Sequence, residues 1–273
     1  MPHITCVILA AGKGTRMKSE LPKVMHRLAG LPLIDHVVDK AKALGIKEII
    51  TIVGHGRDIV AGHIGDSSDI VIQEEQLGTG HALMQAAPKL QEENCILVLS
   101  GDQPLLSLKT LQLLLERHQL SRAAATVLTA SVDDPFGYGR ILKKDGVFEG
   151  IVEEKDADST QKEIKEINTG TYCFQGSELK KGLQSIQPQN AQGEYYLTDI
   201  FDTLLATGQN IETVCMEDIN EAMGINNRLQ LAEAEEFLYK KIRQHWMMEG
   251  VTIVNPSSVL IDSRVTIGKD VTI

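Results

Sequence analysis

Residues 9–23, LAAGKGTRMKSELPK, combine two glycines with four basic side chains directly after the apolar run ITCVILA. A strand that leads into such a turn can wrap a phosphate with backbone N–H groups, and Arg16 can add a bidentate contact. Lys23, held behind Pro22, offers a further positive charge. The segment predicts a phosphate-binding loop, with a solvated basic turn as the alternative, and Lys13 and Lys18 are expected to face solvent.

The two most familiar phosphate-binding templates do not fit this loop. A P-loop needs G-x-x-x-x-G-K-[ST], which this segment does not supply. The dinucleotide fingerprint G-x-G-x-x-G has Met17 where its third glycine belongs. A nicotinamide-dependent oxidoreductase is therefore disfavoured. Asp102 closes the apolar run CILVLSGD, and the carboxyl end of a parallel strand faces the crevice where ligands bind.

The elements that position these residues alternate along the first half of the chain. Strand-like runs are ITCVILA (4–10), EIITIVG (48–54), DIVIQ (69–73), CILVLSGD (95–102) and AAATVLTASV (123–132). Helical patterns occupy 33–44, 80–90 and 106–119 between them. Short β-branched runs that alternate with helices predict an α/β fold with a mostly parallel sheet covered on both faces.

The pattern changes after residue 135. Asp145-Gly146 is a hairpin turn signal, INTGTYCF (167–174) and NIETVCM (210–216) predict strands, and EYYLTDIFDTLLATG (194–208) predicts a helix. We expect these elements to form the second wall of a substrate cleft beside a mixed sheet. An amphipathic helix over 226–245 is expected to pack on the domain.

Composition narrows the class of partner. The chain has 42% hydrophobic and 23% charged residues and a formal net charge of −10, so nucleic acid and anionic membranes are not expected partners. The four cysteines form no CxxC and lie in or beside apolar runs, which predicts buried, reduced thiols. With no signal peptide and no 18-residue apolar stretch, a cytoplasmic location is expected.

The last 23 residues carry a six-residue period. Val259, Val265 and Val271 recur in step with a second aliphatic series two residues later, which is typical of a β-helix repeat. Such repeats must stack to bury a core. We expect 251–273 to be the first coil of a β-helix that is cut off soon after it starts.

The full set of motifs resembles the sugar-1-phosphate nucleotidyltransferases. LAAGKGTRMKSELPK is similar to their G-x-G-T-R-M…P-K signature. It is followed in order by QLGTGHAL (76–83), GDQPLL (101–106), DDPFGYGRI (133–141), GIVEEKDA (150–157), EINTGTY (166–172), AQGEYYLTD (191–199) and GINNRLQL (224–231). This set, which covers essentially the whole chain, looks like the uridyltransferase half of the bacterial bifunctional N-acetylglucosamine-1-phosphate uridyltransferases.

The resemblance implies a Rossmann-like nucleotidyltransferase domain with a mixed sheet, followed by a left-handed β-helix. The implied domains are 1–226 for the transferase, 227–250 for a connecting helix and linker, and 251–273 for the truncated β-helix. The implied reaction joins UTP and N-acetyl-α-D-glucosamine 1-phosphate to give UDP-N-acetylglucosamine, a precursor of peptidoglycan and lipopolysaccharide, and pyrophosphate. Relatives also acetylate glucosamine 1-phosphate on the β-helix and trimerise through it; for this chain we expect no acetyltransferase activity and a weak or absent trimer.

The resemblance also implies site residues. Arg16 and Lys23 would stabilise the polyphosphate, and Mg²⁺ would be held by Asp102 and Asn226. The residues expected to contact substrate are Leu9, Ala10, Ala11, Gly12, Lys23, Gln73, Gly78, Thr79, Ser100, Gly101, Asp102, Gly139, Glu153, Asn168 and Asn226. Within this set, Gln73 with Gly78 and Thr79 would meet the uracil, and Gly139, Glu153 and Asn168 the sugar.

Some alternatives remain open. Ser100 departs from the family, which often has Tyr there, so a contact from its side chain is in doubt. Asn227 could cap the following helix, and His81 is expected to be structural. Glu194 and Tyr196 are weaker candidates for the pocket. A thymidylyl- or glucose-specific relative and a catalytically silent relative are the rival functions.

Overall fold

The computed structural model describes residues 3–273. Its strands are β1 (Ile4–Ala10), β2 (Arg27–Leu28), β3 (Leu31–Pro32), β4 (Glu48–Val53), β5 (Asp69–Ile72), β6 (Cys95–Ser100), β7 (Ala125–Ser131), β8 (Arg140–Lys144), β9 (Val147–Val152), β10 (Glu166–Gln175) and β11 (Ile211–Cys215). Its α-helices are α1 (Leu33–Ala43), α2 (Arg57–Ile64), α3 (Thr79–Ala86), α4 (Leu108–Ser121), α5 (Ser159–Lys162), α6 (Gly176–Leu183), α7 (Ile200–Ala206) and α8 (Arg228–Met248). None of these helices is long and apolar enough to cross a membrane.

The main sheet is mixed, as predicted. Its strand order is β11-β7-β10-β6-β1-β4-β5, with the β8–β9 hairpin attached beside β10. The strands β6, β1, β4 and β5 are parallel to one another, whereas β10 is antiparallel to both β6 and β7. The hairpin signal is confirmed: Asp145 and Gly146 have φ values of 51° and 81°, the left-handed pair that a type I′ turn requires.

Helices cover both faces of the sheet because its central strands are apolar on both sides. On one face, α1 and α4 contribute buried side chains such as Val37 and Leu114. On the other face, α3, α6 and α7 contribute Leu83, Leu179 and Phe201. The sheet is therefore buried between two apolar cores, and polar loops lie at the ends of its strands.

Four parallel strands deliver their carboxyl ends to one edge of the sheet. Leu9 of β1 lies in register with Ser100 of β6, so the loops that follow these two strands start side by side. The Gln73 N–H, just past β5, donates to the Val53 carbonyl at the end of β4 at 2.8 Å. The loops after β1, β5 and β6 consequently meet at this edge, which is where parallel sheets bind ligands.

Two sequence predictions were partly wrong. The helix predicted over 194–208 is confined to a 3₁₀ turn and α7, because Tyr195 is held extended by backbone hydrogen bonds to Leu77 and Gly80 at 2.8 Å each. All four thiols are free and three are buried, but Cys215 is exposed. It ends β11, which lies at the edge of the sheet.

The long helix α8 packs on the domain, as expected. Asn227 caps it by accepting a hydrogen bond from the Gln230 N–H at 2.9 Å, which confirms the capping alternative for that residue. Ala234 is buried against Leu28 and Leu105. The apolar contact thus fixes the amino-terminal end of α8 beside the loop that follows β6.

The last segment folds back on itself after α8. The Thr252 N–H donates to the Val271 carbonyl at 2.9 Å, and an isolated parallel bridge joins Thr252 to Thr272. Val251 and Ile261 are buried there, with Trp246 of α8 packed against them. Residues 251–273 therefore form a small cluster of their own that rests on the end of α8.

Candidate active site

The loop after β1 presents a row of unused backbone donors. Within residues 3–273, the N–H groups of residues 12–16 donate no hydrogen bond. Gly14 has φ +60°, and a Cβ at this position would lie 2.7 Å from the Lys23 Cβ. Glycine thus lets the loop close against Lys23, and the free N–H groups form a concave site for an anion.

Two cations and two oxygen-bearing side chains converge beside this loop. The Lys23 Nζ contacts the Asp102 Oδ2 and lies 3.0 Å from the Asn226 Oδ1, and Arg16 donates to the same Asn226 oxygen at 2.9 Å. The side chains of Lys23 and Asp102 are only 15% and 19% exposed. Low exposure strengthens the attraction between such charges, because less water screens them.

The fold brings Asn226 to this cluster across 210 residues of sequence from Arg16. The Ile225 N–H donates to the Asp102 carbonyl at 2.9 Å, and the Asn226 N–H donates to Gln230 Oε1 at 2.9 Å. Asn226 is therefore pinned between the end of β6 and the first turn of α8. This residue could be placed near Asp102 from sequence only through the family resemblance.

A buried amide lies at the other end of the loop cluster. Gln73 is 3% exposed, and its Nε2 donates to the Gly78 carbonyl at 3.1 Å and lies 3.0 Å from the His81 Nδ1. Gly78 has φ +115°, and a Cβ there would lie 2.5 Å from the Tyr195 carbonyl oxygen. Only glycine allows this close approach of two backbone segments.

One cavity of about 550 Å³ joins these features. The predicted site residues that line it are Leu9, Ala10, Ala11, Gly12, Arg16, Lys23, Gln73, Gly78, Thr79, Ser100, Asp102 and Asn226. Lys13, expected to face solvent, also lines it, as does Glu194, whereas Tyr196 does not. Gln76 was missed, although it opens the QLGTGHAL motif; its Nε2 donates to the Gln73 carbonyl at 3.1 Å.

Four predicted residues do not line this cavity. Gly101 is buried in the fold, where its N–H donates to the Leu9 carbonyl at 2.9 Å. The other three form a separate group: a Cβ on Gly139 would lie 3.2 Å from the Glu153 Oε2 and 3.4 Å from the Asn168 Cβ. The Gly170 N–H donates to the Asn168 Oδ1 at 3.1 Å, and a Cβ on Gly170 would lie 3.6 Å from the Oγ of Ser100, which lines the cavity. The group around Gly139 therefore lies beside the cavity.

Hydrogen bonds hold the group around Gly139 in place. Thr198 donates to the Glu153 Oε1 at 3.1 Å, and the Asn168 Nδ2 donates to the Tyr172 hydroxyl at 2.7 Å. Burial is the main cause that raises the pKa of Glu153, and the hydrogen bond from Thr198 opposes it. Thr198 binds only one of the two Glu153 carboxylate oxygens, so the other oxygen can accept hydrogen bonds from the hydroxyls of a polar ligand.

A mixed α/β sheet that carries, at one edge, a loop of free backbone donors, a lysine–carboxylate–amide cluster and a buried amide is the arrangement expected of a nucleotidyltransferase. The chain belongs to the MobA-like NTP transferase domain family, whose model matches residues 6–159.

Similar proteins include the Bifunctional protein GlmU of Desulfitobacterium hafniense, 52% identical over 271 residues, which is 99% of this chain and 60% of that protein. The proteins of the same name from Heliobacterium modesticaldum and Halalkalibacterium halodurans are 50% and 46% identical, covering 97% and 100% of the chain. The chain spans about three fifths of the length of these relatives. A solved Bacillus anthracis structure assigned as a glucose-1-phosphate thymidylyltransferase, in complex with a sucrose, has a TM-score of 0.70 at 22% identity. It covers 86% of this chain and 94% of its own, and shows the shared fold.

Proposed function

We propose that this chain transfers a uridylyl group from UTP to N-acetyl-α-D-glucosamine 1-phosphate, giving UDP-N-acetylglucosamine and pyrophosphate. The observation that carries the proposal is the single cavity in which the buried Gln73 amide, the free N–H groups of residues 12–16 and the Lys23–Asp102–Asn226 cluster follow one another. This order suits the base, the phosphates and the reacting centre of a nucleotide. The names of the relatives support the choice of substrates.

We further propose that Asp102 and Asn226 hold a Mg²⁺ ion. The Asp102 Oδ2 and the Asn226 Oδ1 both contact the Lys23 ammonium, so they converge on a position that suits positive charge. Hard oxygen donors fit Mg²⁺, which commonly completes its shell with phosphate oxygens and waters. No group of three or more His, Cys, Asp or Glu suited to a metal occurs in residues 3–273. When bound, the ion would supply extra positive charge to the polyphosphate.

The protein side chains would then act by positioning and charge neutralisation. A phosphate oxygen of the sugar phosphate attacks the α-phosphorus of UTP in line, the new P–O bond forms, and pyrophosphate leaves. The attacking phosphate is already ionised near neutral pH, so the proposal needs no general base. Arg16 and Lys23 would hold the two anions together and stabilise charge that develops on the phosphates.

Gly139, Glu153 and Asn168 would bind the acetamido sugar. The Glu153 carboxylate and the Asn168 amide can recognise hydroxyl and acetamido groups by hydrogen bonds. Leu9, Ala10, Ala11 and Gly12 would contact the nucleotide through their backbone, and Gly78 and Thr79 would meet the base. The Ser100 side chain lines the cavity, and for Gly101 a buried backbone role beside Asp102 is proposed instead.

The rest of the organisation is also a proposal. The boundaries 1–226, 227–250 and 251–273 are supported by the start of α8 at Arg228 and its end at Met248. The hydrogen bonds between 252–254 and 271–273 support a first coil of a left-handed β-helix. We propose a cytoplasmic protein without nucleic-acid or membrane partners.

The test is pyrophosphate release from UTP with Mg²⁺, measured with and without N-acetylglucosamine 1-phosphate. Glucose 1-phosphate and dTTP serve as competing substrates in matched reactions. Release that requires both UTP and the acetamido sugar is the expected result. Release with glucose 1-phosphate or dTTP instead would retain the class and change the substrate. No release with any pair would favour a catalytically silent relative.

A further inference from the structure

The orientation of the Gln73 amide is decided by a neighbour that can only accept a hydrogen bond, the carbonyl of Gly78. A backbone carbonyl has no proton to give, so the 3.1 Å contact to the Gly78 oxygen identifies the Gln73 nitrogen as the donor. The same nitrogen lies 3.0 Å from the His81 Nδ1, which must therefore present its lone pair. Both N–H groups of the amide are then used inside the protein.

The carbonyl oxygen of the Gln73 side chain is the part of the amide that has no partner among the residues that the structure describes. Within residues 3–273 it accepts no hydrogen bond, and it is not among the buried polar atoms that lack a partner. Because Gln73 lines the cavity, this oxygen is turned towards the ligand space. The site thus offers an acceptor, and not a donor, to the edge of a base.

His81 is itself held firmly. It lies in the first turn of α3, and its ring centroid is 6.0 Å from that of Tyr195. The Gln85 amide lies 3.2 Å from the other ring nitrogen, Nε2. A neutral imidazole accepts at one nitrogen only, and the Gln73 nitrogen has the shorter contact to a backbone carbonyl, 3.1 Å against 3.3 Å for the Gln85 nitrogen. Gln73 therefore decides the tautomer, and the protonated Nε2 requires the Gln85 amide to turn its oxygen towards the ring. Without an acceptor at His81, the carbonyl of Gly78 would bind only one of the two N–H groups of the Gln73 amide. The second N–H would then be free to turn into the cavity and to donate to a ligand.

We propose that His81 is a positioning residue for base selection: its Nδ1 lone pair holds the Gln73 amide so that only the carbonyl oxygen meets the base. This rests on the proposed function, in which the base is uracil. Uracil carries an N–H at position 3, and the Gln73 oxygen can accept a hydrogen bond from it. Cytosine carries a lone pair there, which the Gln73 oxygen repels. His81 therefore sets the preference for UTP over CTP without touching either nucleotide.

The experiment compares kcat/KM for UTP and CTP, with N-acetylglucosamine 1-phosphate as the acceptor. His81→Leu should lower the UTP-to-CTP ratio by about tenfold or more, mainly through a higher KM for UTP. His81→Asn should restore most of the ratio, because its Oδ1 lies close to the position of the Nδ1 and is also an acceptor. A purely structural role of His81 would lower activity with both nucleotides alike.

His118→Leu is the matched control. His118 is 4% exposed, and its Nδ1 lies 2.9 Å from the Thr126 Oγ1, outside the nucleotide cavity. The substitution removes a buried histidine and its hydrogen bond, so it reports the general cost of such a change. The UTP-to-CTP ratio should stay at the wild-type value in this variant.

A second measurement needs no substitution. The ¹⁵N chemical shifts of His81 in the wild-type protein should show an unprotonated Nδ1 and a protonated Nε2. An unchanged nucleotide ratio in His81→Leu, a His81→Asn variant that behaves like His81→Leu, or a protonated Nδ1 would each overturn the proposal. A wild-type protein that turns over neither UTP nor CTP would instead refute the proposed function, and the ¹⁵N shifts would still test the role of His81.

Discussion

Asp102→Asn preserves the shape of the side chain and removes the negative charge beside Lys23 and Asn226. The Asp102 Oδ2 contacts the Lys23 Nζ, which also lies 3.0 Å from the Asn226 Oδ1. Because the Asp102 side chain is only 19% exposed, water can replace little of the lost interaction. The substitution therefore leaves the Lys23 ammonium with two amide oxygens in place of its carboxylate partner.

The size of the effect follows from the kind of contact that is lost. A hydrogen bond to a charged group contributes about 1.5–3 kcal/mol, and a divalent cation held through the same oxygen would be weakened as well. We expect kcat/KM for UTP to fall about 100-fold, which corresponds to about 2.7 kcal/mol of transition-state stabilisation. The free energy of unfolding should fall by at most about 1–3 kcal/mol, so the variant remains folded.

The assay is pyrophosphate release at a series of Mg²⁺ concentrations, with the melting temperature measured on the same preparations. If Asp102 holds the ion, the variant should need more Mg²⁺ for half-maximal activity than the wild type. Asp66→Asn, at an exposed position, is the control for loss of one negative charge. Wild-type activity with an unchanged Mg²⁺ requirement in Asp102→Asn would refute the assignment of Asp102 as a metal ligand.

Three further outcomes are expected. Gly78→Ala should raise the KM for UTP at least about tenfold, because its Cβ would lie 2.5 Å from the Tyr195 oxygen; Gly208→Ala, also at positive φ but with open space around it, should not. Burial lowers the pKa of Lys40 to about 8, against 10.5 in the unfolded chain. Because the unfolded chain holds the Lys40 proton more tightly, the free energy of unfolding is lowered by up to about 3 kcal/mol below pH 8, and this loss disappears by pH 10.5. Urea unfolding should therefore show wild-type stability rising relative to Lys40→Met over that interval, and a constant difference would contradict the assignment. Since burial raises the pKa of Glu153, the KM for the sugar phosphate should rise as pH falls. Glu153→Gln should weaken this dependence and leave the part that comes from protonation of the sugar phosphate itself.

Local sequence signals were sufficient for most elements of the sheet. The β-branched run 4–10 became β1 with the predicted bounds, and Asp145-Gly146 formed its turn because glycine next to aspartate tolerates two left-handed conformations in succession. Where a long-range backbone contact opposed the local preference, the predicted element did not form in full. The backbone of Tyr195 is hydrogen-bonded to Leu77 and to Gly80 in the first turn of α3 and stays extended, so the helix predicted from residue 194 starts later.

The phosphate loop and its chemistry could be recognised from residues that lie close together in sequence. Their spacing is a local property, and glycine conformations and strand ends follow from local physical chemistry. Tertiary structure alone decided which distant groups complete the site. Asn226, 210 residues from Arg16, reaches Arg16 and Lys23 because the Ile225 N–H donates to the carbonyl of Asp102, just after β6. Such contacts depend on how packed helices and strands approach one another, and the spacing of residues along the sequence does not reveal this approach.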